Sequence, residues 1–132
     1  MTEHPNALAV RRSFEAWNSG SLDVIREYFT EDTVLHFAGN NAMSGTYRGV
    51  DEVVDAMLRA RRGWGTQADV ESLLASDDYV MVFFHATSER DGKTLDVVLA
   101  MAIKVDADGK LTEVWFLANE QAAYDAFWSA LP

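Results

Sequence analysis

Cysteine is absent from the chain. That excludes disulfides, thiol nucleophiles and thiolate metal sites. Histidine is scarce, at 3 residues, and His4, His36 and His85 show no metal-ligand spacing, so no metal and no cofactor is expected. Positive charge is also short. Lys and Arg number 11 against 21 Asp and Glu, a formal net charge of −10. Nucleic acid requires a basic surface and is excluded as a partner; anionic membrane surfaces are disfavoured, and the acidity reads as solubility. No run approaches the roughly 18 apolar residues of a membrane span. The opening MTEHPNALAV has no basic segment followed by a long apolar run, so the expected location is the cytoplasm. Phosphate-cradling glycine loops, internal repeats and low-complexity tracts are all missing.

What is present is a balanced globular composition, 48% hydrophobic and 24% charged over 132 residues. It predicts one domain spanning residues 1–132. The organising stretch is residues 79–119, three consecutive antiparallel strands. Asp91-Gly92 is a two-residue hairpin signal, because both positions need φ > 0. It pairs Arg90 with Lys93, Phe84 with Leu99 and Val82 with Met101. Asp106-Ala107-Asp108-Gly109 suits a type I turn followed by a left-handed glycine. It pairs Met101 with Trp115, Leu99 with Leu117 and Val97 with Asn119; a slip in this turn would instead exchange Trp115 and Asn119 for Val114 and Phe116 on that face.

Alternation then writes out two faces. An inner face carries Val82, Phe84, Ala86, Val97, Leu99, Met101, Ile103, Trp115, Leu117 and Asn119. An outer face carries Phe83, His85, Val98, Val114 and Phe116. Both are apolar, so each needs cover. Helices can cover one only, and a second copy of the chain is expected on the outer face through Phe83, His85, Val98, Val114 and Phe116; the alternative is that strand twist hides these side chains within one chain.

Earlier in the chain, Pro5 suits the first turn of a helix. Ala7, Val10, Phe14 and Trp17 follow at helical spacing until Gly20 stops it. Ser21 opens a second helix with Leu22, Ile25 and Phe29 on its inner side. Residues 33–37 (TVLHF) read as a short strand and residues 38–49 as a loop. A third helix begins at Asp51, with Val54, Met57, Leu58 and Arg61 on one side and Gly63 and Gly65 at its end. Residues 68–75 are a further strand. Asn119 caps a last helix with Tyr124, Phe127, Trp128 and Leu131 at helical spacing. Helices preceding antiparallel strands predict an α+β fold with the helices on one face of a curved sheet.

Several stretches give this chain a family likeness: residues 13–20 (SFEAWNSG), 28–32 (YFTED), 45–49 (GTYRG) and 109–115 (GKLTEVW). In order and spacing it resembles the SnoaL-like proteins of the nuclear transport factor 2-like superfamily, over nearly its whole length. The resemblance implies a cone-shaped α+β barrel (a cystatin-like cone), a homodimer packed through the outer sheet face, and a deep apolar pocket for a small apolar ligand. It also implies that His36 points into that pocket, where it serves as acid or base; the alternative is a buried histidine bonded to a backbone carbonyl. Related cyclases carry an aspartate near Asn119, and an amide cannot exchange protons. Asn119 orients a ligand or, on the stronger reading, only caps the helix. Tyr47 and Trp115 supply aromatic surface and the tyrosine a hydroxyl. Phe84, Val97, Leu99, Met101, Trp115 and Leu117 are the expected pocket lining.

Because this fold hosts many chemistries, function follows from the site. The first expectation is a small-molecule-binding protein with an apolar pocket. The alternative is a cofactor-independent lyase or isomerase, of polyketide cyclase or ketosteroid isomerase type, using His36 with Tyr47 or Asn119. A protein-interaction module is a further alternative.

Overall fold

A computed structural model describes residues 3–64, 68–90 and 92–129. Helix α1 runs Pro5–Ser19, with proline in its first turn and Gly20 left-handed at φ 80° behind it. The short α2, Leu22–Ile25, passes into a 3-10 turn, Arg26–Tyr28. Then come strands β1 (Phe29–Phe37) and β2 (Gly45–Arg48), helix α3 (Val50–Trp64), strands β3 (Ala68–Ala75), β4 (Tyr79–Arg90), β5 (Lys93–Val105) and β6 (Leu111–Ala118), and helix α4 (Gln121–Phe127).

The six strands form one sheet in the order β2-β1-β6-β5-β4-β3. All pairs are antiparallel except β1 with β6, which is parallel. This mixed, curved sheet wraps around the helices, the α+β cone that the element order anticipates. The expected strand at residues 33–37 is longer. Strand β2 falls inside what reads as a loop, because a four-residue edge strand pairing on one side leaves little pattern. Helix α3 turns a different face inward: Val53, Ala56 and Ala60 are buried with Met57 against them, in place of Val54, Leu58 and Arg61. Small alanines let the helix approach the sheet closely, which weighs more than the size of the alternative side chains. Gly63 lies inside that helix, while Asp91, Gly65 and Leu131 fall outside the described residues.

The β4–β5 hairpin has the expected register, with Phe84 opposite Leu99 and Arg90 opposite Lys93. The β5–β6 register does not. Val105 pairs with Leu111 as the turn dictates, but Lys104 pairs with Glu113, leaving Thr112 as an extra residue. Its hydroxyl donates to the Lys104 carbonyl at 3.1 Å, so the bulge has its own hydrogen bond. From there every side chain of β6 changes face. Phe116, not Trp115, stands opposite Met101, and Ala118, not Leu117, opposite Leu99. Val114 and Phe116 thereby turn inward, Val114 at 1% exposure, while Leu117 turns outward at 48%.

The interior holds Trp128, Phe84, Leu35, Leu99 and Ile103, all essentially solvent-free. Each such side chain is stabilised by roughly 1.5–3 kcal/mol through burial. Outside, Leu74, Phe83 and Leu117 are exposed, and Val98, Ala100 and Trp115 lie on the same side by alternation. At the rim of this face His85 Nε2 donates to Asp96 Oδ1. That bond, opposed by burial and aided by the charges of Asp96, Glu71 and Asp69, raises the His85 pKa above its ordinary 6.5.

The bulge makes adjacent residues unequal. Phe116→Ala should destabilise the fold by about 3 kcal/mol and Leu117→Ala, at 5 µM or below, by less than about 1 kcal/mol, read by urea unfolding; the reverse order would restore the unbulged register. For His85, a raised folded pKa stabilises below the unfolded value and is lost as pH rises through the folded one. The stability gap between the native chain and His85→Gln should therefore be widest below the ordinary histidine pKa of 6.5 and shrink as pH rises above it, measured by denaturation across pH.

Candidate functional site

Between the helices and the inner sheet face lies a cavity of about 60 Å³. Helix α1 contributes Ser13, Phe14 and Trp17, one stripe at helical spacing. Ile25 comes from α2, Met57 and Ala60 from α3, and Phe29, Phe37, Ala68, Phe84, Met101, Leu111 and Phe116 from the sheet. Four phenylalanines form one connected wall. Phe14 meets Phe84 edge-on at 5.0 Å, Phe84 meets Phe116 edge-on at 6.2 Å, and Phe116 stacks on Phe37 at 4.8 Å. These are favourable aromatic geometries.

Polar groups are nearly absent from this lining. The Ser13 hydroxyl is turned back to the Val10 carbonyl at 2.6 Å. No titratable side chain lines the cavity among the described residues. Such a space suits an apolar guest by shape and offers no proton donor or acceptor at its wall. No grouping of metal-ligating side chains occurs among the described residues, and no helix there is long and apolar enough to cross a membrane.

Of the expected lining, Phe84 and Met101 are in place. Val97 and Leu99 are buried on the same inner face at 3% and 1% exposure but do not line the cavity; β5 there packs against α4. Trp115 and Leu117 lie on the other face, carried there by the bulge. For the same reason Val114 and Phe116 leave the expected outer interface, which keeps Phe83, His85 and Val98.

None of the three catalytic candidates lines the cavity. Leu35 and Phe37 take the inner positions of β1, at 1% and 6% exposure, so His36 between them faces outward. There its Nε2 is 2.7 Å from Glu113 Oε2 and its Nδ1 3.0 Å from Thr46 Oγ1. Its ring stacks on Trp115 at 5.4 Å. Tyr47 is paired with Leu35 on β2; its hydroxyl donates to the Met43 carbonyl at 2.8 Å, and the Arg59 guanidinium sits 5.5 Å over its ring. Asn119 neither faces the cavity nor caps α4, whose cap position is Glu120. It is exposed, and its Oδ1 accepts from the Val98 backbone N–H at 3.2 Å while its own backbone N–H donates to the Val98 carbonyl at 3.0 Å. Asn119 thus prolongs the β5–β6 ladder by a side chain.

Two braces hold the helices around the cavity. The Arg61 guanidinium donates to the Trp17 carbonyl and covers the Trp17 ring at 5.3 Å. At the other end Asp125 Oδ1 accepts from Asn41 Nδ2 at 2.7 Å and Gln121 Nε2 at 2.9 Å, tying α4 to the loop before β2. Those two bonds, Asn41 first, hold the Asp125 carboxyl below its ordinary pKa. Burial pushes the neighbouring Tyr124 phenol up, so it stays neutral.

The unforeseen lining residues were legible in part. Phe37 is one step from His36, and two large apolar side chains flanking one histidine already assign the inner side. Met57 and Ala60 needed the correct α3 face, and Phe29 needed the 3-10 turn.

Residues 10–114 match the family model of the SnoaL-like domain. The uncharacterised protein Rv0034 of Mycobacterium tuberculosis is 30% identical over 98% of this chain and 100% of its own length. Bal32a, from a soil-derived mobile gene cassette, superposes with a TM-score of 0.87 at 29% identity, over 93% of this chain and 95% of that one. TerC, co-crystallised with polyporic acid, gives 0.80 at 16% identity over 94% and 98%, a likeness of fold. Sequence match and architecture agree: the chain belongs to the SnoaL-like domain family, of nuclear transport factor 2-like fold.

Proposed function

We propose that this protein binds a compact apolar small molecule in its interior cavity. The observation that carries the reading is the lining itself, hydrocarbon and aromatic throughout except for a serine hydroxyl already bonded to its own helix. Occupied ligand sites are commonly about 300–1,000 Å³, so the cavity must yield to accept a ring. Met57 and Met101, both on its wall, are the unbranched side chains able to move aside. TerC, co-crystallised with polyporic acid, supports a ligand-binding reading for a cone of this shape. Proton transfer by His36, the lyase or isomerase alternative, finds no support in a side chain that faces away from the cavity.

Indole is a suitable probe. Titrated into the protein, it should move the methyl resonances of Met57 and Met101 saturably, and Ala60→Phe, which fills the cavity, should weaken binding at least about tenfold. His36→Gln should leave the affinity unchanged. Indole binding that survives Ala60→Phe, or disappears with His36→Gln, would reject the interior site.

The second element of the reading is a homodimer through the outer sheet face. Leu74, Phe83 and Leu117 are 65%, 37% and 48% exposed, an apolar surface larger than scattered single residues, and such patches mark association sites. One sheet face can pair with its own copy about a twofold axis. Sedimentation at about 50 µM should give the mass of two chains, and Leu117→Glu should return it to one. A native chain that sediments as a monomer at that concentration overturns the dimer.

A further inference from the structure

Beside the cavity, at the surface, lies a cleft of about 580 Å³ lined by Arg26, Thr30, Glu31, Arg48 and Asp51. One side chain, Phe29, lines both spaces. We propose that cavity and cleft are the two halves of one ligand site parted by the Phe29 ring, and that the ligand joins an apolar body to an uncharged hydrogen-bonding end. This deepens the ligand-binding reading above and rests on it for the apolar half.

The local chain makes Phe29 a door rather than a wall. It closes the 3-10 turn and pairs with Leu111, after which β1 leaves β6 and rejoins it only at Val34 opposite Glu113. The detour is held by Thr33, whose hydroxyl accepts from the Thr30 amide and donates to the Leu111 carbonyl, each at 2.8 Å. Phe29 therefore stands where the sheet is interrupted, and it is half-buried. The turn before it is pinned by the ion pair of Arg26 with Asp51 and by the Lys110 ammonium on the Glu27 carbonyl. Both are surface contacts, weak and screened by salt. Rotation of a single ring joins the two spaces.

The cleft's charges describe the other end of the ligand. Two guanidiniums, Arg26 and Arg48, face three carboxylates, Glu31, Asp51 and Glu52. Arg26 is already paired with Asp51. A carboxylate or an ammonium on the ligand would each meet a like charge there. A hydroxyl or carbonyl meets donors and acceptors of both kinds, and is not repelled by a chain of net charge −10.

A chain without cysteine accepts a single reporter thiol. Met101→Cys should react with methyl methanethiosulfonate about fivefold more slowly when combined with Phe29→Trp and about fivefold faster with Phe29→Ala or Arg26→Gln. Leu99→Cys, buried outside the cavity, reports global unfolding and should not respond to Phe29→Trp. In the native chain 1-octanol should shift the Met57 and Met101 methyls at least about tenfold more tightly than octanoate or octylammonium, and Arg48→Gln should narrow the preference over octylammonium while widening that over octanoate. Thiol reactivity at Met101→Cys that ignores Phe29 while indole still binds would overturn the door and leave the ligand reading standing. Tighter binding of either charged homologue would overturn the uncharged end. If no probe, indole included, binds while the thiol rate follows Phe29, the ligand reading and the joined site both fail.

Discussion

One unpaired residue, Thr112, decides what this fold can hold. The turn of residues 106–109 is rigid: Asp106 Oδ1 accepts from the amides of Asp108 and Lys110, both at 2.9 Å, and Gly109 takes φ 79°. It sends β6 back in one register, and the bulge immediately replaces that register with the next. Because side chains alternate, the choice is all or nothing for the strand. Phe116 joins the aromatic wall and Trp115 leaves it. Through the parallel pairing of β1 with β6, His36 stands beside Trp115 and Phe37 beside Phe116. The exclusion of the histidine from the interior and the apolar purity of the cavity thus have one shared origin.

That purity has an energetic logic. A histidine turned inward would need its ring nitrogens bonded within hydrocarbon, and an unbonded polar group there is costly. On the outer side it has both partners, Glu113 and Thr46, and an aromatic ring to lie on. The inner positions of β1 are left to Leu35 and Phe37, which need no partners. The cavity wall is consequently formed by packing, with the hydrogen bonds of Arg61 and Asp125 bracing the helices. Its shape depends on side chains that can shift, two methionines and the Phe29 ring, more than on fixed hydrogen bonds.

Much of the architecture could be read from the chain before its coordinates. Helix α1 announces itself by Pro5, by its stripe from Ala7 to Trp17 and by Gly20. The β4–β5 hairpin follows from Asp91-Gly92, and the apolar character of both sheet faces follows from alternation. The bulge was not legible, since Thr112 is as good a strand residue as its neighbours and only its hydroxyl bond to Lys104 marks it. Strand β2 was masked by the turn-forming residues around Thr46 and Tyr47. The site suffered most because lining depends on register: Phe84 and Met101, on strands joined by the well-signalled hairpin, fall where expected. Trp115 and Leu117, beyond the bulge, do not.

Charge completes the division between inside and outside. Arg61 braces Trp17, Arg59 covers Tyr47, and Arg26 holds the α2 turn to Asp51. The guanidiniums thus serve as ties across the helical side of the cone, where a flat cation can lie on a ring and reach a carbonyl or carboxylate together. The net negative charge therefore belongs to the surface and not to the cavity wall. The cavity wall offers hydrocarbon and aromatic contact, and no charged side chain lines it among the described residues.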